Sequence, residues 1–322
     1  MQADVLKRLY AQMLRIRRVE EKIAELYPQQ EIRCPVHLCI GQEAIAAGVC
    51  DNLSARDYVL SGHRSHGHYL AKGGSLDAMM AELYGKVTGC CQGKGGSMHL
   101  SDPSAGFLGS APIVGSTIPI AVGTALASKM RGEDRVTAVF FGEGATEEGV
   151  FSESINFAVL KSLPVLFVCE NNFYSVYSPL TVRQPPGREL HRLVRGYGLE
   201  SFRGDGNNVV RVHGLAAGAV RRARGGEGPT FLELKTYRWR EHCGPDYDHH
   251  LGYRSQEEFM QWKRNCPLAR ARKRLLARRV LSREEMDSMV ARVDEEIRRA
   301  VCFAQQSPFP AKERLLEHVY AR

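Results

Sequence analysis

The middle of the chain shows a regular succession of apolar and polar stretches. Residues 135–141 are apolar and rich in β-branched and aromatic side chains, as in a buried strand. Between residues 146 and 160 the apolar side chains return at helical spacing, and residues 164–169 form a second short apolar run. Parallel strands joined by a right-handed helical crossover end at the same edge of a sheet. The pattern therefore predicts an α/β fold in which helices flank a parallel sheet.

A polar segment follows each of the two predicted strands. Residues 142–145 (Gly-Glu-Gly-Ala) follow the first strand, and residues 170–172 (Glu-Asn-Asn) follow the second. Because ligands of such folds bind at this edge of the sheet, Glu143 and Asn172 are expected to meet there. Carboxylate and amide oxygens suit Mg²⁺ or Ca²⁺, and a glycine turn lets backbone amides approach a phosphate at a helix N-terminus. The pair favours a metal-bound diphosphate over an ordinary turn with a capping acid.

The two ends of the chain are predicted to be helical. Residues 4–27 form an amphipathic pattern with intermixed acids and bases, unlike a signal or transit peptide. No apolar run is long enough to span a bilayer, so no membrane association is expected. The 322 residues, 43% of them hydrophobic, contain no linker-like tract. We therefore expect one domain over residues 1–322, with an N-terminal helix at about 1–30 and C-terminal helices at about 255–322.

Cysteine usage indicates the cellular compartment. The nine cysteines are odd in number and scattered, and they match neither a disulfide framework nor a zinc site. Reduced thiols and a cytoplasmic location are the simplest interpretation.

The positive charge of the chain raises a different hypothesis. The formal net charge is +8, and a dense group of bases lies between residues 263 and 279. Such a face could dock nucleic acid or an acidic protein domain. Leucines recur at helical spacing among these bases and no nucleic-acid-binding motif accompanies them, so a solvated helix face is favoured and no nucleic acid partner is expected. Acids between residues 284 and 296 are expected to neutralise the bases in part.

Further motifs show that the chain resembles the α subunits of the E1 component of 2-oxo acid dehydrogenases, which bind thiamine diphosphate. The resemblance extends from about Val5 to the C-terminus. It rests on the spacing from the acidic turn to the Asn pair and on residues 37–44 (HLCIGQEA), 62–67 (GHRSHG), 93–99 (GKGGSMH), 113–115 (IVG) and 163–164 (LP). It implies a thiamine diphosphate-binding fold with a C-terminal helical segment, and thiamine diphosphate and Mg²⁺ as cofactors.

The same resemblance implies a cofactor site. Glu143, Asn172 and the main-chain carbonyl of Tyr174 fall at the positions of the metal ligands. Arg64 matches a residue that binds the diphosphate, and Gly144 and Ala145 match residues whose backbone amides also bind it. Ile113 and Val114 match residues whose backbone groups hold the aminopyrimidine ring.

Histidines complete the expected site. His37 and His242 match active-site histidines near the diphosphate and the substrate entrance, and His242 is also expected to contact the cofactor. His242 lies in a segment rich in Gly, Pro and Asp, which predicts a mobile loop that orders when diphosphate binds. His63 stands where the family commonly has Tyr or Phe, so we include it as a third catalytic candidate and expect an unusual acceptor.

Two other positions depart from the family pattern. The family usually has Asp where this chain has Glu143, so the ligand geometry must absorb an extra methylene. Cys243 replaces the first of the serines that are phosphorylated in mammalian relatives, so kinase control at this loop is not expected.

The function implied by the resemblance is that of an oxidoreductase subunit. Such a subunit decarboxylates a 2-oxo acid and passes the acyl group to a lipoyl E2, within an α₂β₂ assembly whose E1 β subunit supplies the activating carboxylate. Pyruvate, branched-chain oxo acids and acetoin all remain as donors. A second hypothesis is an acyl or acyloin transferase that works without a lipoyl E2, and a third is a non-catalytic scaffold or a basic nucleic-acid-binding protein.

Overall fold

The fold is described from a computed structural model that covers residues 1–317 and 319–320. The strands are β1 Tyr58–Ser61, β2 Phe107–Ser110, β3 Thr137–Gly142, β4 Val165–Asn171, β5 Tyr174–Ser175, β6 Ser178–Pro179, β7 Glu200–Asp205 and β8 Thr230–Lys235. The helices are α1 Ala3–Leu26, α2 Glu43–Cys50, α3 His66–Lys72, α4 Leu76–Leu83, α5 Thr117–Met130, α6 Gly149–Leu160, α7 Leu180–Arg183, α8 Leu190–Leu193, α9 Val209–Arg224, α10 Gln256–Arg264, α11 Pro267–Ala277 and α12 Arg283–Gln306.

The main sheet has six parallel strands in the order β2-β1-β3-β4-β8-β7, while β5 and β6 form a small antiparallel ribbon. The predicted α/β fold with a parallel sheet is therefore confirmed. The predicted crossover helix begins later than expected, at Gly149, because Glu143–Glu147 first forms a 3-10 turn. This turn keeps the acidic segment at the edge of the sheet.

Both faces of the sheet are covered by helices. Alternate residues of β3 enter opposite cores, with Ala138 and Phe140 on one face and Val139 and Phe141 on the other. Strand side chains point to opposite faces in turn, so a sheet buried on both sides needs a continuous apolar run. That requirement explains why residues 138–141 are apolar without interruption.

Helix α1 carries buried charged residues that hold the segment before α2. Arg17 forms a two-pronged ion pair with Glu43, at 2.5 and 2.9 Å, and stacks on the Trp239 ring. One turn later, Glu20 accepts the backbone N–H of Cys39 at 2.8 and 2.9 Å. These contacts fix residues 36–43 against α1, which places His37 and Gln42 relative to the sheet.

A second buried carboxylate organises the glycine-rich motif at residues 93–99. Glu82 accepts backbone N–H groups from Cys91, Gly93, Gly95 and Gly96, at 2.7 to 3.0 Å. Gly93 and Gly96 adopt positive φ angles of 75° and 61°, a conformation that disfavours side chains. The motif therefore builds a cage around one carboxylate.

The C-terminal helices pack on α1 and α4. Partial neutralisation of the bases at residues 263–279 by the acids of α12 stays a prediction, but two of these acids pair elsewhere. Asp294 instead pairs with Arg18 at 2.7 Å, and Glu296 pairs with Arg15 at 2.7 Å, because α12 lies beside α1. Among the described residues, no helix has the length and apolar character needed to cross a membrane.

We expect Arg17→Met to destabilise the protein by about 3–5 kcal/mol, because it leaves the Glu43 carboxylate buried without its partner. Arg18→Met is the matched control: its ion pair with Asp294 is solvent-exposed, so a loss of about 0–1 kcal/mol is expected. Denaturant unfolding of both variants measures the difference. Equal losses would show that the Arg17–Glu43 pair does not anchor this segment.

Candidate active site

An open cavity of about 210 Å³ lies at the carboxyl ends of β1, β3 and β4. The strand order reverses between β1 and β3, since the chain runs outward to β2 on one side and to β4 on the other. Such a switch point is where open α/β sheets bind ligands. The cavity is lined by every predicted site residue: His37, His63, Arg64, Ile113, Val114, Glu143, Gly144, Ala145, Asn172, Tyr174 and His242.

The two predicted oxygen ligands meet because β3 and β4 pair in register. Gly142, the last residue of β3, lies opposite Glu170 near the end of β4. Glu143 is 1% exposed, and its Oε2 lies 3.4 Å from the backbone nitrogen of Asn172. The backbone N–H of Tyr174 donates to Asn172 Oδ1 at 3.2 Å, which brings the third predicted residue to the same place.

Arg183 is a residue of this cluster that the sequence did not reveal. It donates to Glu143 Oε1 at 2.6 Å and to Glu147 Oε1 at 2.5 Å, so one guanidinium bridges both acids of the turn. Burial raises the pKa of Glu143, and the Arg183 charge opposes that rise. The negative charge of the acidic turn is thus balanced by the Arg183 guanidinium on α7, which lies about forty residues later in the chain.

Gln42 is a second unpredicted residue of the cavity. Its side chain is 1% exposed, and its Oε1 lies 3.5 Å from Asn172 Nδ2. Its Nε2 is buried and has no hydrogen-bond partner among the described residues. A buried amide donor without a partner costs free energy unless a ligand satisfies it. Gln42 belongs to the HLCIGQEA motif at residues 37–44, but only the fold shows that its side-chain amide faces the cavity.

Arg64 connects three segments around the cavity. It follows β1 and donates to the carbonyl oxygens of Leu38, at 2.7 Å, and His242, at 3.2 Å. Burial lowers its pKa to about 10, and the neighbouring Arg238 adds to that effect. An arginine remains a cation in proteins, so this part of the cavity is positive and favours anions.

Three histidines gather beside Arg64. Their ring centroids are 4.6 Å apart for His37 and His63, 5.0 Å for His37 and His242, and 5.3 Å for His63 and His242. Burial, followed by the charge of Arg64, lowers the pKa of His37 to about 2, of His63 to about 4 and of His242 to about 3. All three rings are therefore neutral at physiological pH.

The loop that carries His242 is anchored on its far side. Asp248, 1% exposed, accepts hydrogen bonds from Arg238 at 3.0 Å and from Arg254 at 2.8 Å, and Tyr253 donates to the same carboxylate. In addition, the backbone N–H of Gly244 donates to the Val36 carbonyl at 2.8 Å. These contacts hold the loop over the cavity, and ordering of the loop by a ligand stays a prediction.

The remaining predicted residues lie along the rim and floor of the cavity. Ala145 is buried, and Gly144 is packed so closely that an added Cβ would lie 2.9 Å from Ser175 Oγ. Ile113 and Val114 have exposed side chains, 72% and 46% respectively. The phenol of Tyr174 donates a hydrogen bond to Glu258 Oε2 at 2.6 Å.

Residues 11–313 match a family model described as "Dehydrogenase E1 component". Over 316 residues the chain is 38% identical to the α subunit of an acetoin:2,6-dichlorophenolindophenol oxidoreductase of Bacillus subtilis, covering 97% of this chain and 92% of that protein. It is 39% identical over 320 residues to the chloroplastic pyruvate dehydrogenase E1 component subunit alpha-3 of Arabidopsis thaliana, covering 97% and 74%. The pyruvate dehydrogenase E1 component subunit alpha of Zymomonas mobilis is 39% identical over 322 residues, covering 98% and 88%.

We expect Arg183→Gln to destabilise the protein at pH 8 by about 3–5 kcal/mol, because Glu143 is left buried without a counter-charge. The pKa of Glu143 is already raised, and losing Arg183 raises it further. The folded variant then binds a proton that the unfolded chain does not, so the deficit should shrink as the pH falls toward 5.

Thermal and denaturant unfolding at pH 8 and pH 5 measure this change. Arg188→Gln is the control, since Arg188 is exposed on the same segment, and a change within about 0.5 kcal/mol is expected. A deficit that is the same at both pH values would contradict the assigned ion pair.

Proposed function

The chain belongs to the dehydrogenase E1 component family, and on that premise we propose that it is the α subunit of a thiamine diphosphate- and Mg²⁺-dependent 2-oxo acid dehydrogenase. In this proposal the assembled enzyme decarboxylates a 2-oxo acid and passes the acyl group to a lipoyl acceptor. The observation that carries the proposal is the meeting of Glu143, Asn172 and Tyr174 at the ends of two paired strands.

The donor set of the cavity fits a metal-bound diphosphate. Glu143 and Asn172 offer hard oxygens, and the Tyr174 carbonyl is the proposed third protein ligand, a set that suits Mg²⁺. Two buried nitrogens, Gln42 Nε2 and His37 Nδ1, have no partner among the described residues and would gain one from phosphate oxygens. Arg64 adds a positive charge on the same side.

Arg183 is the group that would give way to a metal ion at Glu143 Oε1. The guanidinium occupies that oxygen at 2.6 Å, and a cation would need Arg183 to leave before it could bind there. Arg183 can keep its contact with Glu147, at 2.5 Å, when it leaves Glu143. Such an exchange would preserve the charge balance of the acidic turn, since Glu143 would have a cation partner in either state.

Bound thiamine diphosphate supplies the carbon nucleophile and the electron sink for decarboxylation. The residues of this chain position it. Arg64 and the amides of Gly144 and Ala145 hold the diphosphate, Ile113 and Val114 hold the aminopyrimidine through backbone groups, and the histidines line the approach of the substrate.

The surface supports assembly with an E1 β subunit. Helices α5 and α6 pack side by side, and their exposed positions include large apolar side chains beside polar ones such as Lys129 and Glu153. Their outer face exposes Ile120 by 54%, Met130 by 78% and Leu160 by 72%. Large apolar side chains exposed on two adjacent helices support a partner subunit here.

A non-catalytic scaffold and a nucleic-acid-binding protein receive less support. A scaffold without catalysis does not need unpartnered polar nitrogens in a cavity, since they cost stability. The bases on α11 accompany apolar side chains that pack inward, including Ala271 and Leu275, as on an ordinary solvated helix.

The proposed location is the cytoplasm. All nine cysteines are free thiols, which supports a reducing compartment.

We expect Glu143→Ala to weaken Mg²⁺-dependent binding of thiamine diphosphate by at least about 100-fold, because it removes the charged metal ligand. Titration calorimetry of the α/β assembly at saturating Mg²⁺ measures this. Glu25→Ala, an exposed position on α1, is the control and should bind normally. Unchanged affinity in Glu143→Ala, with the circular dichroism spectrum preserved, would refute the metal assignment.

We expect the purified chain to lack decarboxylase activity and to gain it when an E1 β subunit is added. Leu160→Glu should weaken the assembly by at least about tenfold, because it buries a charge in an apolar interface. Leu315→Glu is the control, since Leu315 is 73% exposed on a different segment. Dye reduction with several 2-oxo acids and analytical ultracentrifugation give the two readouts, and robust turnover by the α chain alone would contradict the expectation.

A further inference from the structure

Glu82 differs from the other buried carboxylates of the chain because no cation lies beside it. Seven other acids are buried to a similar extent, and an Arg or His nitrogen lies within 3.2 Å of each: Glu20, Glu43, Asp57, Glu143, Glu170, Glu233 and Asp248. Glu82 is 1% exposed, and among the described residues its hydrogen-bond partners are the backbone amides of the glycine-rich motif. Buried charges are normally paired or bound to a metal ion. The Glu82 carboxylate can therefore still pair with a cation from solution.

Two thiols lie beside this carboxylate. Cys90 and Cys91 occupy the central positions of a tight turn, which the backbone N–H of Gln92 closes by donating to the Gly89 carbonyl at 2.9 Å. The two sulfur atoms and one oxygen of Glu82 lie within 4.8 Å of one another. Both cysteines are partly exposed, so an ion in solution can reach them. A buried acid and two accessible thiols thus converge on one point.

The two thiols form a short hydrogen-bonded chain. Cys91 Sγ donates to the carbonyl oxygen of His99 at 2.9 Å, and the Cys90 thiol donates to the Cys91 sulfur. The contact between the thiols raises the pKa of Cys90 and lowers the pKa of Cys91. Each sulfur becomes a metal ligand when its proton leaves, because the thiolate is the form that binds metal ions.

The ligand set selects a thiophilic cation. Thiolates favour Zn²⁺ and its heavier congener Cd²⁺, whereas Mg²⁺ prefers oxygen ligands such as those at Glu143. Zn–S bonds of about 2.3 Å place tetrahedral ligands roughly 3.8 Å apart, so small rotations of the two thiols bring the cluster into range. Two sulfurs and one carboxylate oxygen leave a fourth position for water, as in open zinc sites. The spacing of the cysteines did not indicate such a site, because the third ligand is a glutamate on α4.

We propose that Cys90, Cys91 and Glu82 form a binding site for Zn²⁺ or a similar thiophilic divalent cation. As each metal–sulfur bond forms, the thiol proton passes to solvent, and no electron is transferred. Two thiolates balance the charge of the ion, and the negative charge of Glu82 attracts it. The site is separate from the cofactor cavity, since none of the three residues lines that cavity. The inference therefore does not depend on the proposed function.

The site has a structural link to the wall of the cavity. Glu82 belongs to α4, and its carboxylate accepts amides within residues 91–96. The residues that follow are Ser97, whose Oγ lies 2.8 Å from His66 Nε2, and Met98, which lines the cavity. A bound cation would tie the turn at residues 89–92 to α4. We therefore expect the amides of residues 91–96 to exchange with solvent more slowly when the cation is bound.

Cadmium titration of the reduced, full-length chain tests the site, because cadmium–thiolate bonds give an ultraviolet charge-transfer band that nitrogen and oxygen ligands do not give. The band separates this site from the histidines and the acidic turn of the cavity. We expect one Cd²⁺ per chain to produce the band and Zn²⁺ to displace it. Cys90→Ser and Cys91→Ser should each weaken Cd²⁺ binding by at least about 100-fold. Cys302→Ser, at an exposed position on α12, is the matched control and should bind as the wild type does.

A second measurement needs no variant, so it decides the question even if a serine variant does not fold. Mass spectrometry after brief alkylation should show that Cd²⁺ slows the alkylation of Cys90 and Cys91 by at least about tenfold, with Cys302 alkylated at an unchanged rate. No charge-transfer band in the wild type, an unchanged band in both folded variants, or no protection of the two cysteines would overturn the inference. Unchanged hydrogen exchange at residues 91–96 would overturn the part assigned to Glu82.

Discussion

The parallel pairing of β3 with β4 is the constraint on which the rest of the site depends. Six consecutive residue pairs, from Thr137 opposite Val165 to Gly142 opposite Glu170, fix where both strands end. A slip of one residue would exchange the β3 side chains between the two cores, where Phe140 stacks on His68 and Phe141 packs against Phe151, so specific packing on both sides fixes the register. The positions of Glu143 and Asn172 follow directly from that register.

Charge balance in the cavity is arranged in two separate zones. Around the acidic turn, Arg183 supplies the cation that Glu143 and Glu147 need. Around Arg64 the balance is reversed, because His37, His63 and His242 lie beside the guanidinium and none of these four side chains forms an ion pair with a carboxylate among the described residues. The acidic turn can bind a cation and the region around Arg64 can bind an anion, which fits the proposed metal diphosphate.

The sequence predicts the sheet, the acidic turn and the place where Glu143 and Asn172 meet, because hydrophobic periodicity and parallel topology are local signals with few solutions. The partners that the sequence missed are long-range contacts. Arg183 lies 40 residues from Glu143, and Gln42 lies 130 residues from Asn172. No pattern along the chain indicates such pairs. The predicted start of α6 was also too early, because Glu143–Glu147 forms a 3-10 turn and the α-helix begins only at Gly149. Two acids of α12, Asp294 and Glu296, find their ion-pair partners on α1, which is again a long-range contact.

The apolar outer face of α5 and α6 also has a consequence for the life of the chain before assembly. A newly made α chain presents Met130 and Leu160 to water until a partner covers them. Exposed apolar surface of this kind promotes aggregation at micromolar concentrations. In the proposed α/β assembly, balanced synthesis of the two subunits would therefore protect the α chain from aggregation as well as set the stoichiometry.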